Sequence, residues 1–284
     1  MLRIAIQKSG RLSEDSIKLF KECGIKFESS SSGKLKSAAT NFPAEFLFLR
    51  DDDIPGYVED GVADLGIVGE NVLVESAKNV NVVHKLGFSK CRLSLAIPRG
   101  TSWNGLKDLQ GRGIATSYPR LLGHYLTERG IQADIHEISG SVEIAPSIGL
   151  ADAVCDIVSS GSTLLSNGLK EVEVIFQSEA VLISNQQLSN QKQVLLESLL
   201  FRINAVQAAQ SNKYIVLNSP EEAVERIAGL LPGIKSPTVV PLKTKGWVSM
   251  HSVINENDFW TNIAKIREAG AEGILVIPIE KMIY

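Results

Sequence analysis

Cysteine and histidine are scarce in this sequence, with 3 and 4 residues among 284. The cysteines are Cys23, Cys91 and Cys155. They are odd in number and far apart, and they form no metal-spaced pair, which favours a reduced, cytoplasmic setting. The histidines are His84, His124, His136 and His251. They share no ligand spacing, so we expect surface or packing roles for them.

Charge of one sign and long apolar runs are lacking as well. The formal net charge is −3, so no electrostatic footprint for nucleic acid is present. No apolar run reaches the roughly 18 residues of a membrane helix. The stretch "MLRIAIQKSG" (1–10) has neither a long apolar segment nor a cleavage site of a secretory signal. We therefore expect no nucleic acid and no membrane as a partner.

Strand-like and helix-like stretches alternate through the first two thirds of the chain. Strands are predicted over 2–7, 44–50, 63–69, 91–98, 113–118, 133–139, 152–159 and 179–185. Helices are predicted over 13–24, 53–61, 119–130, 142–151 and 192–210. Ser13 and Asp53 are the expected caps of the first two helices, and Gly24 ends the first. This alternation predicts α/β units with parallel sheets.

The last 70 or so residues have a different pattern, and the chain is predicted to divide near 210–213. Strands are expected over 213–218, 238–243, 247–254 and 273–279, with helices over 219–233 and 257–271. Ser219, Pro220 and Glu222 have the spacing of a capping box. The order β-α-β-β-α-β is that of a ferredoxin-like module. The stretch "SSSSG" (29–33) is predicted to be a loop.

The stretch "CDIVSSGSTL" (155–164) has the residue types of a phosphate site. An apolar strand carrying Asp156 ends in Ser159, Ser160, Gly161, Ser162 and Thr163. A tight turn before a helix exposes N–H groups that favour an anion, and hydroxyls add donors. Asp156 could accept hydrogen bonds from a sugar diol. The alternative is an ordinary turn in which Ser159 or Ser160 caps the helix and Asp156 faces solvent.

Two other polar stretches follow predicted strands. Lys8 and Arg11 in "AIQKSGRLS" (5–13) suit a polyphosphate at a strand end, although a solvated basic turn is an alternative. Three adjacent acids in "LRDDDIPG" (49–56) suggest a metal. Consecutive strand positions face opposite sides, however, so a helix cap plus solvated acids is favoured.

These stretches together resemble a known enzyme family. The segment "SGSVEIAPSIGLADAVCDIVSSGSTL" (139–164) resembles the defining stretch of the ATP phosphoribosyltransferases. Glu143, Gly149, Asp156, Gly161 and Thr163 fall at the spacing of the family pattern. Further similar stretches are "IAIQKSGRLS" (4–13), "RDDDIPG" (50–56), "DLGIVGENVL" (64–73), "RLSLA" (92–96), "IATSYPRLL" (114–122) and "SPTVVPL" (236–242). The similarity covers essentially the whole chain, and the length matches the long form of the family.

The resemblance implies a reaction, a fold and an assembly. The family joins N1 of ATP to C1 of phosphoribosyl pyrophosphate with Mg²⁺, in the first step of histidine biosynthesis, and histidine inhibits it. The implied fold is α/β. Residues 1–90 plus 179–211 and residues 91–178 form two domains like type II periplasmic binding proteins, with a substrate cleft. Residues 212–284 form an ACT-like regulatory domain. The family forms dimers and hexamers, and histidine favours a closed, inactive hexamer.

The resemblance also implies residue roles. The implied catalytic residues are Asp156, which accepts from the ribose hydroxyls, and Glu143, which helps to order that site. The implied substrate-binding residues are Lys8, Arg11, Glu70, Asn71, Tyr118, Ser159, Ser160, Gly161, Ser162 and Thr163. The positions that match the histidine pocket are Asn218, Thr238 and Gly273. No residue is assigned as a direct Mg²⁺ ligand.

Three alternatives remain at this point. A solute-binding receptor would use the same cleft fold, but a secretory signal is not expected here. An effector domain of a transcription factor would need a helix-turn-helix segment or a basic stripe. Another phosphoribosyltransferase would differ only in its acceptor, which the residues alone do not identify.

Overall fold

The structure is a computed structural model that describes residues 1–28, 33–231 and 233–284. The predicted loop at 29–33 lies outside these residues except for Gly33. Contacts divide the chain into two compact units. The first comprises Met1–Lys18 and Ile25–Leu195, and the second comprises Leu19–Gly24 and Leu196–Tyr284. The three domain ranges expected from the sequence stay a prediction, although each sheet described below lies inside one of them.

The first unit contains a six-stranded sheet. Its strands, numbered in chain order, are β1 (Leu2–Gln7), β2 (Lys36–Ala38), β3 (Ala44–Leu49), β4 (Leu65–Gly69), β5 (Asn81–Lys85) and β11 (Ala180–Ser184). The spatial order is β2-β3-β1-β4-β11-β5. Strand β1 pairs in parallel with β3 and β4, whereas β11 is antiparallel to β4 and β5. The strand predicted at 179–185 therefore returns to the sheet built by the first 85 residues.

The first unit also contains a five-stranded sheet with the same plan. Its strands are β6 (Cys91–Pro98), β7 (Gly113–Thr116), β8 (Asp134–Glu137), β9 (Ala153–Val158) and β10 (Leu169–Ser178). The order is β10-β6-β9-β7-β8, with β7, β8 and β9 parallel and β6 antiparallel to both neighbours. The chain enters the antiparallel strands β11 and β6 just after leaving the other sheet, and β2 is also antiparallel to β3 at one edge of the first sheet. The expected pair of periplasmic-binding-protein-like α/β domains is confirmed, but both sheets are mixed rather than purely parallel.

Helices connect these strands. They are α1 (Arg11–Glu22), α2 (Ile54–Glu59), α3 (Glu70–Ser76), α4 (Pro119–Glu128), α5 (Ser162–Ser166) and α6 (Asn190–Gln210). The buried face of α6 carries Leu196, Leu199, Ile203 and Val206, as its apolar spacing predicts. None of the helices in the described part of the chain combines the length and apolar composition that crossing a bilayer requires.

Two predicted helix caps are wrong. Helix α1 begins at Arg11, directly after Gly10 at φ +93°, so Ser13 lies buried inside the helix. Asp53 precedes α2 but ends a short 3-10 turn over Asp51–Asp53, and its side chain makes no capping hydrogen bond. Its backbone is already helical, whereas a capping side chain needs an extended backbone at that position.

The predicted helix over 142–151 is also wrong. Only Val142–Ile144 forms a short 3-10 helix, and turns follow it. Pro146 lacks the N–H that a longer helix would need, and Gly149 has φ +75°. The segment therefore runs as a compact turn beside β9.

The second unit contains the ferredoxin-like module. Its elements are β12 (Asn212–Pro220), α7 (Val224–Leu230), β13 (Thr238–Pro241), β14 (Trp247–Asn255), α8 (Glu256–Glu268) and β15 (Glu272–Pro278). The sheet order is β13-β14-β12-β15. Alternate residues of β14 are buried, which places Val248, Met250 and Ile254 in the core. The expected βαββαβ fold is confirmed.

The predicted capping box is wrong. Ser219 belongs to β12, where it pairs with Val248 of β14, and its hydroxyl lies 3.5 Å from Met250 Sδ. Helix α7 begins only at Val224, after a 3-10 turn over Glu221–Ala223. Strand pairing therefore overrides the local capping signal at this position.

Candidate functional site

Most of the predicted substrate-binding residues lie where parallel strands of the two sheets in the first unit end. The residues that follow β1, β4, β7 and β9 are, in turn, Lys8 and Arg11, Glu70 and Asn71, Tyr118, and Ser159–Thr163. The carboxyl ends of parallel strands are where open α/β sheets bind ligands. Two hydrogen bonds join the sets directly. Arg11 Nη1 donates to Ser159 Oγ over 3.2 Å, and Asn71 Nδ2 donates to the Tyr118 hydroxyl over 3.0 Å.

The segment Ser159–Thr163, here called the hydroxyl loop, turns the chain from β9 into α5. Gly161 precedes the helix with φ +82°, a conformation that side chains with a Cβ rarely adopt. Gly161 at the cap position has no side chain, but the Ser160 hydroxyl accepts from the N–H of Ser162, the first residue of α5, over 3.4 Å. The predicted alternative is therefore right that a serine contacts the helix start. The N–H groups at the start of α5 have no intrahelical acceptor. The loop lines a cavity of about 260 Å³ together with Glu143 and Asp156.

Asp156 is partly buried on β9, opposite Ser94 of β6. Its Oδ1 accepts a hydrogen bond from the N–H of Ile157 over 2.7 Å. Burial raises the pKa of Asp156, the Ile157 N–H opposes that rise, and the charge of Glu143 adds to it. The carboxylate is therefore only partly exposed, and it lines the cavity beside the hydroxyl loop.

Asn71 lies at the start of α3 with only 6% of its surface exposed. Its Oδ1 accepts from Ser178 Oγ over 2.8 Å, while its Nδ2 donates to Tyr118. A Cβ at Gly69 would lie 2.5 Å from Asn71 Oδ1, so any other residue at position 69 would require the Asn71 side chain to shift. The amide is fully engaged in fixing Tyr118 and Ser178, a role that the sequence did not reveal because Ser178 is 107 residues away.

Tyr118 is held in the site as a neutral phenol. Burial raises the pKa of its hydroxyl, the Asn71 amide opposes this, and the charges of Asp156, Asp51 and Asp52 add to the rise. The hydroxyl accepts from Asn71 and so keeps its own proton to donate to a ligand. The charges of Asp51 and Asp52, after β3, and of Asp156, on β9, thus all affect Tyr118. The sequence did not predict this.

The basic residues and Glu70 lie at the edge of the first sheet. The side chain of Arg11 is 68% exposed and lies 4.0 Å from Asp15. The backbone N–H of Lys8 donates to Leu49 O over 2.7 Å, which fixes the turn after β1. Glu70 forms an ion pair with Lys85 over 3.2 Å. These residues thus present charge of both signs near the strand ends.

Glu75 of α3 makes a contact that sequence reasoning missed. Its two carboxylate oxygens accept from the N–H groups of Arg120 and Leu121 over 2.8 and 2.9 Å. These are amides of the first turn of α4, which Tyr118 itself does not cap. A carboxylate at a helix N-terminus is favoured by the helix dipole. Glu75 therefore caps a helix of the other α/β domain. The sequence predicted where α4 begins, but it did not predict that Glu75 would cap that helix.

No cluster of three or more metal-ligating side chains occurs within residues 1–28, 33–231 and 233–284. Burial and the charge of Asp51 raise the pKa of Asp52. Cys155 is fully buried, and burial raises the pKa of its thiol, so this residue packs in the core and does not react.

The second unit brings together two of the three predicted histidine-binding residues. Asn218 Nδ2 lies 3.3 Å from the position that a Cβ on Gly273 would occupy. Thr238 lies on β13 at one edge of the sheet, whereas Gly273 lies on β15 at the other edge. One chain therefore does not assemble all three positions into one pocket.

Comparison with known proteins identifies the family. A family model described as ATP phosphoribosyltransferase matches residues 50–205, and one described as HisG, C-terminal domain, matches residues 209–281. The ATP phosphoribosyltransferase of Cytophaga hutchinsonii is 64% identical over 283 residues, covering 100% of this chain and 99% of that protein. The one from Phocaeicola vulgatus is 57% identical, covering 100% of each.

A solved structure from the same family also matches this chain. The ATP phosphoribosyl transferase (HisG:HisZ) complex from Thermotoga maritima includes a chain that matches with a TM-score of 0.60 and 31% identity. The match covers 72% of this chain and 98% of that one. The chain thus belongs to the ATP phosphoribosyltransferase family, the transferases of the first step of histidine biosynthesis.

Proposed function

We propose that the hydroxyl loop binds the 5-phosphate of phosphoribosyl pyrophosphate while the facing strand ends hold ATP. The observation that carries this proposal is the shared cavity of the hydroxyl loop, Asp156 and Glu143. Backbone N–H groups and hydroxyls suit a phosphate, and a carboxylate suits the ribose diol. These three elements together match one phosphoribosyl group.

ATP would lie on the side of the first sheet. The Tyr118 hydroxyl can donate to the adenine or ribose, because Asn71 already donates to its oxygen. Lys8 and Arg11 would meet the phosphates of ATP or pyrophosphate, and Glu70 would contact a ribose or the pyrophosphate. Arg11 already reaches Ser159, so a ligand held by Arg11 would stand beside the phosphoribosyl group.

The transfer is catalysed by positioning and electrostatics. N1 of adenine has its own lone pair, so the attack on C1 needs no general base. As pyrophosphate leaves, C1 develops positive charge, which the ionised carboxylate of Asp156 stabilises. The rest of the rate acceleration comes from holding N1 close to C1 and in line with the departing pyrophosphate.

Mg²⁺ fits this site as an ion held chiefly by substrate. Mg²⁺ is usually bound by one or two carboxylates plus substrate phosphates. We propose that Asp51 and Asp52, on the 3-10 turn that follows β3, supply the carboxylates that complete its coordination. When bound, the ion would neutralise charge on the departing pyrophosphate.

The loop assignment is tested with the Thr163→Val variant, which removes one hydroxyl and keeps the side-chain shape. The assay mixes protein, ATP, phosphoribosyl pyrophosphate and Mg²⁺ and follows the new ultraviolet-absorbing product. We expect the KM for phosphoribosyl pyrophosphate to rise about tenfold, the effect of one lost hydrogen bond to a charged group. Thr127→Val is the matched control, because that hydroxyl donates only to Gly123 O within α4. An unchanged KM in Thr163→Val would remove the loop from the phosphate site.

We also propose that histidine inhibits the enzyme through the second unit, in a dimer or hexamer. Asn218 and Gly273 lie together near one edge of the sheet, and Thr238 lies at the other edge. Two copies meeting at these edges would complete the pocket. We expect Asn218→Ala to raise the half-inhibiting histidine concentration about tenfold. Asn262→Ala on α8 is the control. A chain that sediments as a monomer while inhibited by histidine would contradict the shared pocket.

Because both substrates are made inside the cell, we place the enzyme in the cytoplasm.

A further inference from the structure

Arg92 of β6 lies beneath the hydroxyl loop and makes three hydrogen bonds. Its Nε and Nη2 donate to the two carboxylate oxygens of Glu171 over 2.5 and 2.6 Å. Its Nη1 donates to the backbone oxygen of Ser159, the first residue of the loop, over 3.2 Å. The guanidinium group of Arg92 thus binds both Glu171 on the neighbouring strand β10 and the backbone of the hydroxyl loop.

Glu171 fixes the orientation of that fork. Its Oε1 also accepts from Ser94 Oγ over 2.8 Å, and Ser94 is the register partner of Asp156. The hydrogen bond from Arg92 lowers the pKa of Glu171, and Ser94 adds to this, so the carboxylate stays ionised. The charge of Arg92 is therefore neutralised by a bidentate partner, a geometry that lysine does not reproduce.

The carbonyl of Ser159 controls the direction of the next N–H group. The peptide between Ser159 and Ser160 is trans, so its C=O and N–H point in opposite directions. Because Arg92 holds the carbonyl, the N–H of Ser160 is directed away from Arg92. Ser160 lines the cavity with Asp156, where that N–H would be a donor.

We propose that the Arg92–Glu171 pair is a positioning element for phosphoribosyl pyrophosphate. It holds the Ser159 carbonyl and thereby presents the N–H groups of the hydroxyl loop to the 5-phosphate. This inference rests on the proposed role of the loop. Arg92 is not among the described residues that line the cavity, so it would act on phosphoribosyl pyrophosphate through the loop and leave ATP binding unaffected.

The test compares Arg92→Gln, Arg92→Lys, Glu171→Gln and the double variant Arg92→Gln/Glu171→Gln in the full-length enzyme. We expect Arg92→Gln to raise the KM for phosphoribosyl pyrophosphate about tenfold, with the KM for ATP changed less than about twofold. Arg92→Lys should recover part of the loss, because one ammonium group can still reach the carbonyl. The double variant should be no worse than Arg92→Gln alone, since Glu171 acts through Arg92. It also leaves no unpaired charge, so it remains testable if a single variant fails to fold.

Arg112→Gln is the matched control. It removes an ion pair with Asp152 (3.3 Å) just before the first residues of β7 and β9, at the strand ends away from the hydroxyl loop, and we expect neither KM to change. Direct titration with phosphoribosyl pyrophosphate should reproduce the order of the KM values. If Thr163→Val raises that KM but Arg92→Gln does not, the positioning role is overturned and the loop assignment stands. If neither changes it, both fail. Equal rises in both KM values, with a lower melting temperature, would make the pair merely structural and overturn the inference.

Discussion

Replacing Asp156 by asparagine separates what this carboxylate does for catalysis from what it does for stability. The substitution keeps the size of the side chain and one oxygen, which can still accept from the Ile157 N–H. It removes the negative charge and turns the second oxygen into a donor. Ribose hydroxyls would then meet an N–H₂ group where they had met an acceptor.

The expected loss follows from the hydrogen bonds at stake. A hydrogen bond to a charged group contributes about 1.5–3 kcal/mol, and each 1.4 kcal/mol corresponds to about tenfold in rate. With one of two acceptors lost, we expect kcat/KM for phosphoribosyl pyrophosphate to fall about 10- to 100-fold. The KM for ATP should change little.

The effect on stability should have the opposite sign. Burial raises the folded-state pKa of Asp156 above its unfolded value, so the folded protein holds this proton more tightly. The stability that the protonated group gives is present below the unfolded pKa and lost as pH rises through the folded pKa. At neutral pH the ionised carboxylate therefore costs stability, and Asp156→Asn should raise the melting temperature. Near pH 4 the difference from the wild type should shrink.

Steady-state kinetics with each substrate varied, together with thermal melts at neutral and acidic pH, measure both effects. Asp134→Asn is the matched control, because its side chain is 78% exposed at the opposite edge of the second sheet. An Asp156→Asn enzyme with unchanged kinetics would refute the diol role. One that is both less active and less stable at neutral pH would show that the carboxylate is structural.

Three other perturbations have definite expected outcomes. Glu75→Ala should lower kcat and broaden the small-angle scattering envelope of the enzyme, because it removes two hydrogen bonds between the α/β domains; an unchanged envelope and rate would exclude a clamping role. Gly69→Ala should cost about 1–3 kcal/mol of unfolding free energy, because the new methyl would displace Asn71, and urea denaturation measures it. Asp64→Ala should destabilise the fold by about 3 kcal/mol, because it removes the carboxylate that Lys192 contacts at 2.6 Å and that accepts from the Arg3 N–H; in Lys192→Met/Asp64→Asn, which keeps an acceptor for Arg3, most of that loss should be recovered.

Local signals in the sequence predicted the elements and the hydroxyl loop well. Gly161 between hydroxylated residues, at the end of an apolar strand, needed no long-range information. The predicted helix over 142–151 and the capping box at Ser219 failed because a proline in one case and strand pairing in the other override local preference. Residues 29–32 and 232 lie outside the part of the chain that the structure describes.

The long-range partners of the site were beyond sequence reasoning. Asn71 meets Ser178 across 107 residues, and Arg92 meets Glu171 across 79. No periodicity or spacing specifies such pairs, because they depend on which strands become neighbours. The order of the strands in each sheet decides these pairs, and that order could not be read from the sequence.

The return of β11 to the first sheet, after the chain has built the second sheet, affects how the protein folds during synthesis. Strand β5 ends at residue 85, and its one neighbour among the described strands is β11, which begins at residue 180. The five strands of the second sheet all lie between these points. As the chain emerges from the ribosome, the second sheet can be completed while β4 and β5 still lack the strand that joins them. The part of the enzyme translated first is therefore the part that finishes folding later, and its exposed strand edges during that interval are where aggregation would begin.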